Sequence, residues 1–108
     1  MTAVLDPAAR RLIVASALRL HVARTLGTGP VDDLPAAAAA LSPDHAFCRT
    51  YGLSFDPGFP GWGEVETVQG GSRLVLSCRA SYGGEPAGRV VTVLIPGRAP
   101  QVSTLPDA

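Results

Sequence analysis

The chain contains no lysine and no asparagine, and only two cysteines. All nine formal positive charges are therefore arginines, spread from Arg10 to Arg98, and nine carboxylates bring the formal net charge to zero. A nucleic-acid surface needs a basic patch or stripe, so nucleic acid is not an expected partner. The missing lysine and asparagine accompany abundant alanine, glycine and proline. That bias points to a GC-rich bacterial genome rather than to a function. Two cysteines are too few for a disulfide scaffold, and in a cytoplasm they stay reduced.

Long apolar runs are missing as well. No stretch approaches the roughly 18–20 apolar residues of a membrane span. Leu12 to Ala23 is interrupted by Arg19 and His21, and Asp6 stands where a secretory signal would carry basic residues. The expected setting is cytoplasmic, without membrane contact. Apolar residues still make up 46% of 108 positions, which excludes a disordered chain and suffices for one modest core.

What is present reads as helices first and strands afterwards. Asp6 is a good N-cap and Pro7 suits the first helical position, so a helix should run from Pro7 to about Leu26 and stop at Gly27. A second helix should start at Asp32 or Asp33 and cover the alanines 36–40, with Pro35 tolerated in its first turn. A third should begin after Ser42, with Pro43 and Asp44 in its first turn, and end near Gly52.

A β-hairpin follows, with Glu64–Gln69 and Ser72–Ala80 joined by a tight Gly70-Gly71 turn. That turn places Thr67 opposite Leu74, Val65 opposite Leu76 and Gly63 opposite Cys78. It sets Glu66 diagonal to Arg73 and Glu64 diagonal to Arg79. One face then carries Val65, Leu74, Leu76, Cys78 and Ala80, and the other carries the charges with Val68 and Val75. Tyr82–Gly88 reads as a loop. Arg89–Ile95 reads as a strand apolar on both sides, either central in the sheet or covered on both faces. Val102–Leu105 adds an edge strand.

The expected fold is α+β, a single domain over 1–108. Two to three N-terminal helices (1–52) pack on a three- to four-stranded antiparallel meander (64–105). An irregular Pro/Gly/aromatic loop (53–63) lies between them. That layout is common to many small folds and by itself carries no function.

The first helix has two apolar stripes. Leu5, Ala9, Leu12, Ile13, Ser16, Leu20 and Ala23 form the expected core face. Val14, Leu18 and Val22 recur on the far side, and they are the expected interface to a second copy or a protein partner.

Reactive groups are few. His45 and Cys48 lie three residues apart on one side of the third helix, a spacing that could activate a thiolate. Cys48 and Cys78 could meet if that helix packs on the sheet, and with His45 and His21 they are the only candidate metal donors. No CxxC or HxxxH spacing supports a metal, so none is expected. The remaining candidate is the aromatic loop. Tyr51, Phe55, Phe59 and Trp62 could face a ligand or partner, or fold back to plug the end of the sheet.

The leading expectation is a small, non-catalytic bacterial interaction protein. It self-associates or binds a protein partner through its first helix, and it needs no cofactor. The alternative is a small-ligand-binding domain or enzyme. Its pocket would lie between helices and sheet, closed by the aromatic loop and suited to a small apolar ligand.

Overall fold

The structure, a computed structural model, describes residues 6–42, 45–69 and 71–106, with backbone alone at 45 and 68. Helices α1 (Pro7–Leu26), α2 (Leu34–Ala40) and α3 (His45–Tyr51) precede strands β1 (Leu53–Asp56), β2 (Trp62–Val68), β3 (Gly71–Tyr82), β4 (Glu85–Leu94) and β5 (Gln101–Leu105). All strand pairings are antiparallel, which gives the expected α+β arrangement with five strands instead of three or four.

The helix ends follow their capping residues. Asp6 Oδ1 accepts from the Ala9 N–H at 2.7 Å. Gly27 N–H donates to the Ala23 carbonyl at 3.0 Å and closes α1. Asp33 Oδ1 accepts from the Ala36 N–H at 3.1 Å and opens α2. The two aspartate caps each satisfy a donor that the helix itself leaves open, and each is worth about 1 kcal/mol. The expected first-turn residues of α3, Pro43 and Asp44, lie outside the described residues, as does Leu5.

The sheet is organised around β3. Its first part pairs with β2 and its last four residues pair with β1, so β1 and β2 form one interrupted edge. β4 lies between β3 and β5, central in the sheet, with Val90, Thr92 and Leu94 buried on one face and Val91 and Val93 half-buried on the other. Two segments expected to be irregular are strands. Leu53–Gly63 supplies β1 and the start of β2, broken only around Pro57–Gly61. Tyr82–Gly88 is a two-residue turn at Gly83-Gly84 followed by the start of β4. Both glycines have positive φ, +59° and +84°, which lets Tyr82 pair with Glu85.

Further along β4 the pairing slips by one, from Ser81↔Pro86 to Arg79↔Arg89. Gly88, at φ +84°, absorbs the slip as a bulge. A Cβ there would strike the Leu105 carbonyl and the Arg11 side chain.

The β2–β3 hairpin forms with a shifted register. Val68 pairs with Gly71, so the connection is Gln69-Gly70 and not Gly70-Gly71. Val65 therefore faces Leu74, and Gly63 faces Leu76. A two-residue shift leaves every side chain on its expected face. It also puts Glu66 directly opposite Arg73, where the Arg73 guanidinium reaches Glu66 Oε2 at 2.6 Å. Glu64 faces Val75 and is not diagonal to Arg79.

The two stripes of α1 are exchanged relative to expectation. Val14, Leu18 and Val22 are buried, at 0%, 0% and 7% exposure, in the core with Leu76, Cys78, Val90, Leu94 and Val102. Leu12 and Leu20 face outward, at 64% and 41%. Val14, Leu18 and Val22 are therefore not a partner interface. The physical reason lies in the arginines beside them. Arg11 stands on the same side of the helix as Leu18, and its methylenes run over the gap left by Gly88. Arg10 Nε donates to the Pro86 carbonyl at 2.6 Å. Both arginines cover the sheet with their stems and keep their charge at the rim, so charge on this side of the helix does not mark a solvent face.

Two expected outcomes follow from this packing. Leu18→Arg places a charge in a fully buried site and should cost about 4 kcal/mol or more, enough to abolish the cooperative urea transition. Leu20→Arg should leave the midpoint within about 0.5 kcal/mol of the parent. Thr92, on the same buried face of β4, is 0% exposed and its hydroxyl has no hydrogen-bond partner. Thr92→Val removes that orphaned group at nearly constant shape, and should raise stability by about 1 kcal/mol in the same assay.

Candidate ligand groove on the open face of the sheet

α1 covers one face of the sheet, and among the described residues no helix covers the other. The register assigns the side chains of that open face. Trp62 (β2), Ser77 (β3), Val91 (β4) and Ser103 (β5) stand in one row. Glu64, Val75, Val93 and Gln101 stand in the row towards the β2–β3 turn. Asp56 (β1), Arg79, Arg89 and Leu105 stand in the row on the other side.

Beyond that last row the face is concave. A half-open groove of about 730 Å³ is lined by Ser54, Asp56, Arg79, Ser81, Arg89 and Leu105, with Phe55 and two prolines at its edges. The groove lies where β1 replaces β2 as the neighbour of β3, beside the bulge at Gly88, a kind of irregularity that bends a strand.

The groove's charges sit side by side. Arg79 and Arg89 are direct cross-strand partners and both are exposed. Arg89 Nη1 donates to Ser77 Oγ at 3.0 Å. Asp56 is the cross-strand partner of Arg79 on its other side. Among the described residues neither groove arginine has a carboxylate within 4.0 Å.

The residues singled out from the sequence are elsewhere. The aromatic segment turns back into the molecule. Phe59 is buried and Phe55 half-buried, their ring centroids 5.6 Å apart. The rings continue through His21 to Phe47 at 4.7 Å and on to Tyr51 at 5.0 Å. His21 Nε2 donates to the Leu41 carbonyl at 2.7 Å, which ties α1 to the end of α2. This chain of rings packs between α1, α3 and the β1–β2 connection. Trp62 alone of the four is presented to solvent, at 68% exposure.

Cys48 is half-buried on α3, and the side chain of His45 lies outside the described residues. Cys78 is buried in the core, and neither cysteine forms a disulfide. Burial pushes the Cys78 thiol up to about 11, against a partial lowering by the Arg89 charge. It is a poor nucleophile at neutral pH. Among the described residues no three His, Cys, Asp or Glu side chains gather as a metal site.

Sequence reasoning missed Arg79, Arg89 and Asp56 as a group. Reading Tyr82–Gly88 as a loop removed the register that brings Arg89 beside Arg79. The Gly83-Gly84 pair was the available signal, while the one-residue bulge at Gly88 left none.

No protein-family model, curated protein or solved structure matches the chain.

The contrast between the two thiols is directly measurable. Iodoacetamide should label Cys48 in the native protein and Cys78 only on unfolding. The folded state keeps the Cys78 proton above pH 9, where an unfolded thiol has lost it. Stability should therefore fall as pH rises from about 9 to about 11, and Cys78→Ala should flatten that slope.

Proposed function

We propose that the protein is a small, non-catalytic binding domain of a bacterial cytoplasm that holds a small amphipathic ligand on the open face of its sheet. The observation that carries this reading is the groove at the β1–β3–β4–β5 end. Its volume is in the range of small-molecule sites, and it combines apolar walls with a few converging polar groups. The site stands on strands, whose ladder holds its shape before any ligand arrives. The reading keeps the ligand-binding alternative of the sequence and moves it to the opposite side of the sheet. GC-rich composition supports the bacterial source, and two cysteines held as thiols suit a reducing compartment.

A neutral fluorescent probe, N-phenyl-1-naphthylamine, tests it. Emission should rise on the native protein and saturate. Ser54→Trp starts from an exposed residue on the groove wall and fills the groove without touching the core. It should abolish the rise while leaving the melting temperature unchanged. Equal probe emission from parent and variant would sink the groove reading.

Self-association is a second reading, favoured by the outward stripe of α1. Leu12 and Leu20 are two large apolar side chains exposed on one helix face. Light scattering on the parent and on Leu20→Arg decides it. A dimer that the variant converts to monomer supports the reading, and a monomeric parent removes it.

A further inference from the structure

We infer that the ligand of this groove carries a carboxylate or phosphate group, held between the guanidiniums of Arg79 and Arg89. The inference rests on the groove reading and adds the chemistry of its ligand.

Three observations carry it. First, Arg79 and Arg89 face each other directly across β3 and β4. Like charges in that relation repel and destabilise the pairing, so their position has a cost in the empty protein. Second, the groove holds two guanidiniums against the single carboxylate of Asp56, and no ion pair offsets either arginine among the described residues. The Arg89 side chain donates one bond to Ser77 Oγ, and the Arg79 side chain makes no hydrogen bond among the described residues. Each arginine brings five N–H donors, so most remain to be satisfied by a ligand or by water. Third, the fork of a guanidinium matches the paired oxygens of a carboxylate or phosphate, and such charge-assisted bonds are among the strongest available.

The rest of the groove specifies the ligand's other end. Leu105, Pro86 and Pro106 offer apolar contact beside the arginine pair, and Ser54 and Ser81 add neutral hydroxyls. The arrangement suits an anionic head on a short apolar body. The repulsion between the arginines is relieved only when the head lies between them. The groove should therefore prefer the anion over a neutral molecule with the same tail.

Displacement of N-phenyl-1-naphthylamine by octanoate, octyl phosphate, 1-octanol and inorganic phosphate tests this. Octanoate or octyl phosphate should displace the probe at concentrations about tenfold or more below that of octanol. Arg79→Gln and Arg89→Gln should each erase the preference and leave octanol unchanged. Both should melt no lower than the parent, because each removes the like-charge pair. Octanoate alone acting identifies a carboxylate, and octyl phosphate alone a phosphate. Inorganic phosphate competing as well as octyl phosphate identifies a free phosphate with no tail requirement. Equal displacement by octanol and the anions, or a preference that survives in both variants, overturns the anion assignment and leaves the groove standing. Failure of the probe to bind the parent removes the groove and this inference together.

Discussion

The fold depends on one contact, the seam of Val14, Leu18 and Val22 against the covered face of the sheet. α1 has 20 residues and so spans about 30 Å, whereas the 12 residues of β3 span about 40 Å. One helix cannot cover that length. The β2–β3 hairpin therefore projects beyond it, which is why Val65 is 67% exposed although it lies on the face that α1 covers elsewhere. The molecule is correspondingly elongated, 53 × 29 × 21 Å. With α1 committed to one side, the sheet keeps its other face free of helices among the described residues.

The helix ends were legible because each rests on a local signal, an aspartate, a proline or a glycine whose effect is confined to one turn. The division of the hairpin into two faces was legible for a similar reason, since alternation survives a shift of two residues. Register was not legible, because Gly70 and Gly71 permit the turn to slide by one residue and the ladder follows. The orientation of α1 was not legible either. Both stripes have the period of a buried face, and Arg11 makes the true one look solvated. The buried stripe also depends on a partner more than sixty residues away, Gly88, whose missing side chain leaves room for the arginine stem. No window of local sequence contains that information.

The candidate residues divide along the same line. Phe55, Phe59, Tyr51, His21 and Phe47 are drawn together because α3 and the β1–β2 connection must close the open end of a short core, and aromatic rings fill an irregular gap with few degrees of freedom. Cys78 is drawn inward by strand alternation, and its burial removes the thiolate that chemistry would need. Cys78 and the aromatic rings, singled out in the sequence, thus serve packing. The groove residues look like an ordinary charged strand face until pairing is known.

The charge pattern of the open face carries the argument one step further. At the β2–β3 end Glu66 and Arg73 stand opposite each other and neutralise one another in a pair about 41–46% exposed, worth well under 1 kcal/mol. At the other end the same kind of cross-strand position holds Arg79 and Arg89. The contrast lies within one sheet of a chain whose carboxylates equal its arginines in number, and Asp56 is present in the same row. A one-residue bulge is what brings Arg89, rather than Gly88, into register with Arg79. Without it the arginines would not face each other and β4 would not bend at this point. The backbone irregularity that pairs the two positive charges thus lies beside the hollow. Their coincidence at one end of an uncovered sheet face is what distinguishes this groove from the rest of the surface.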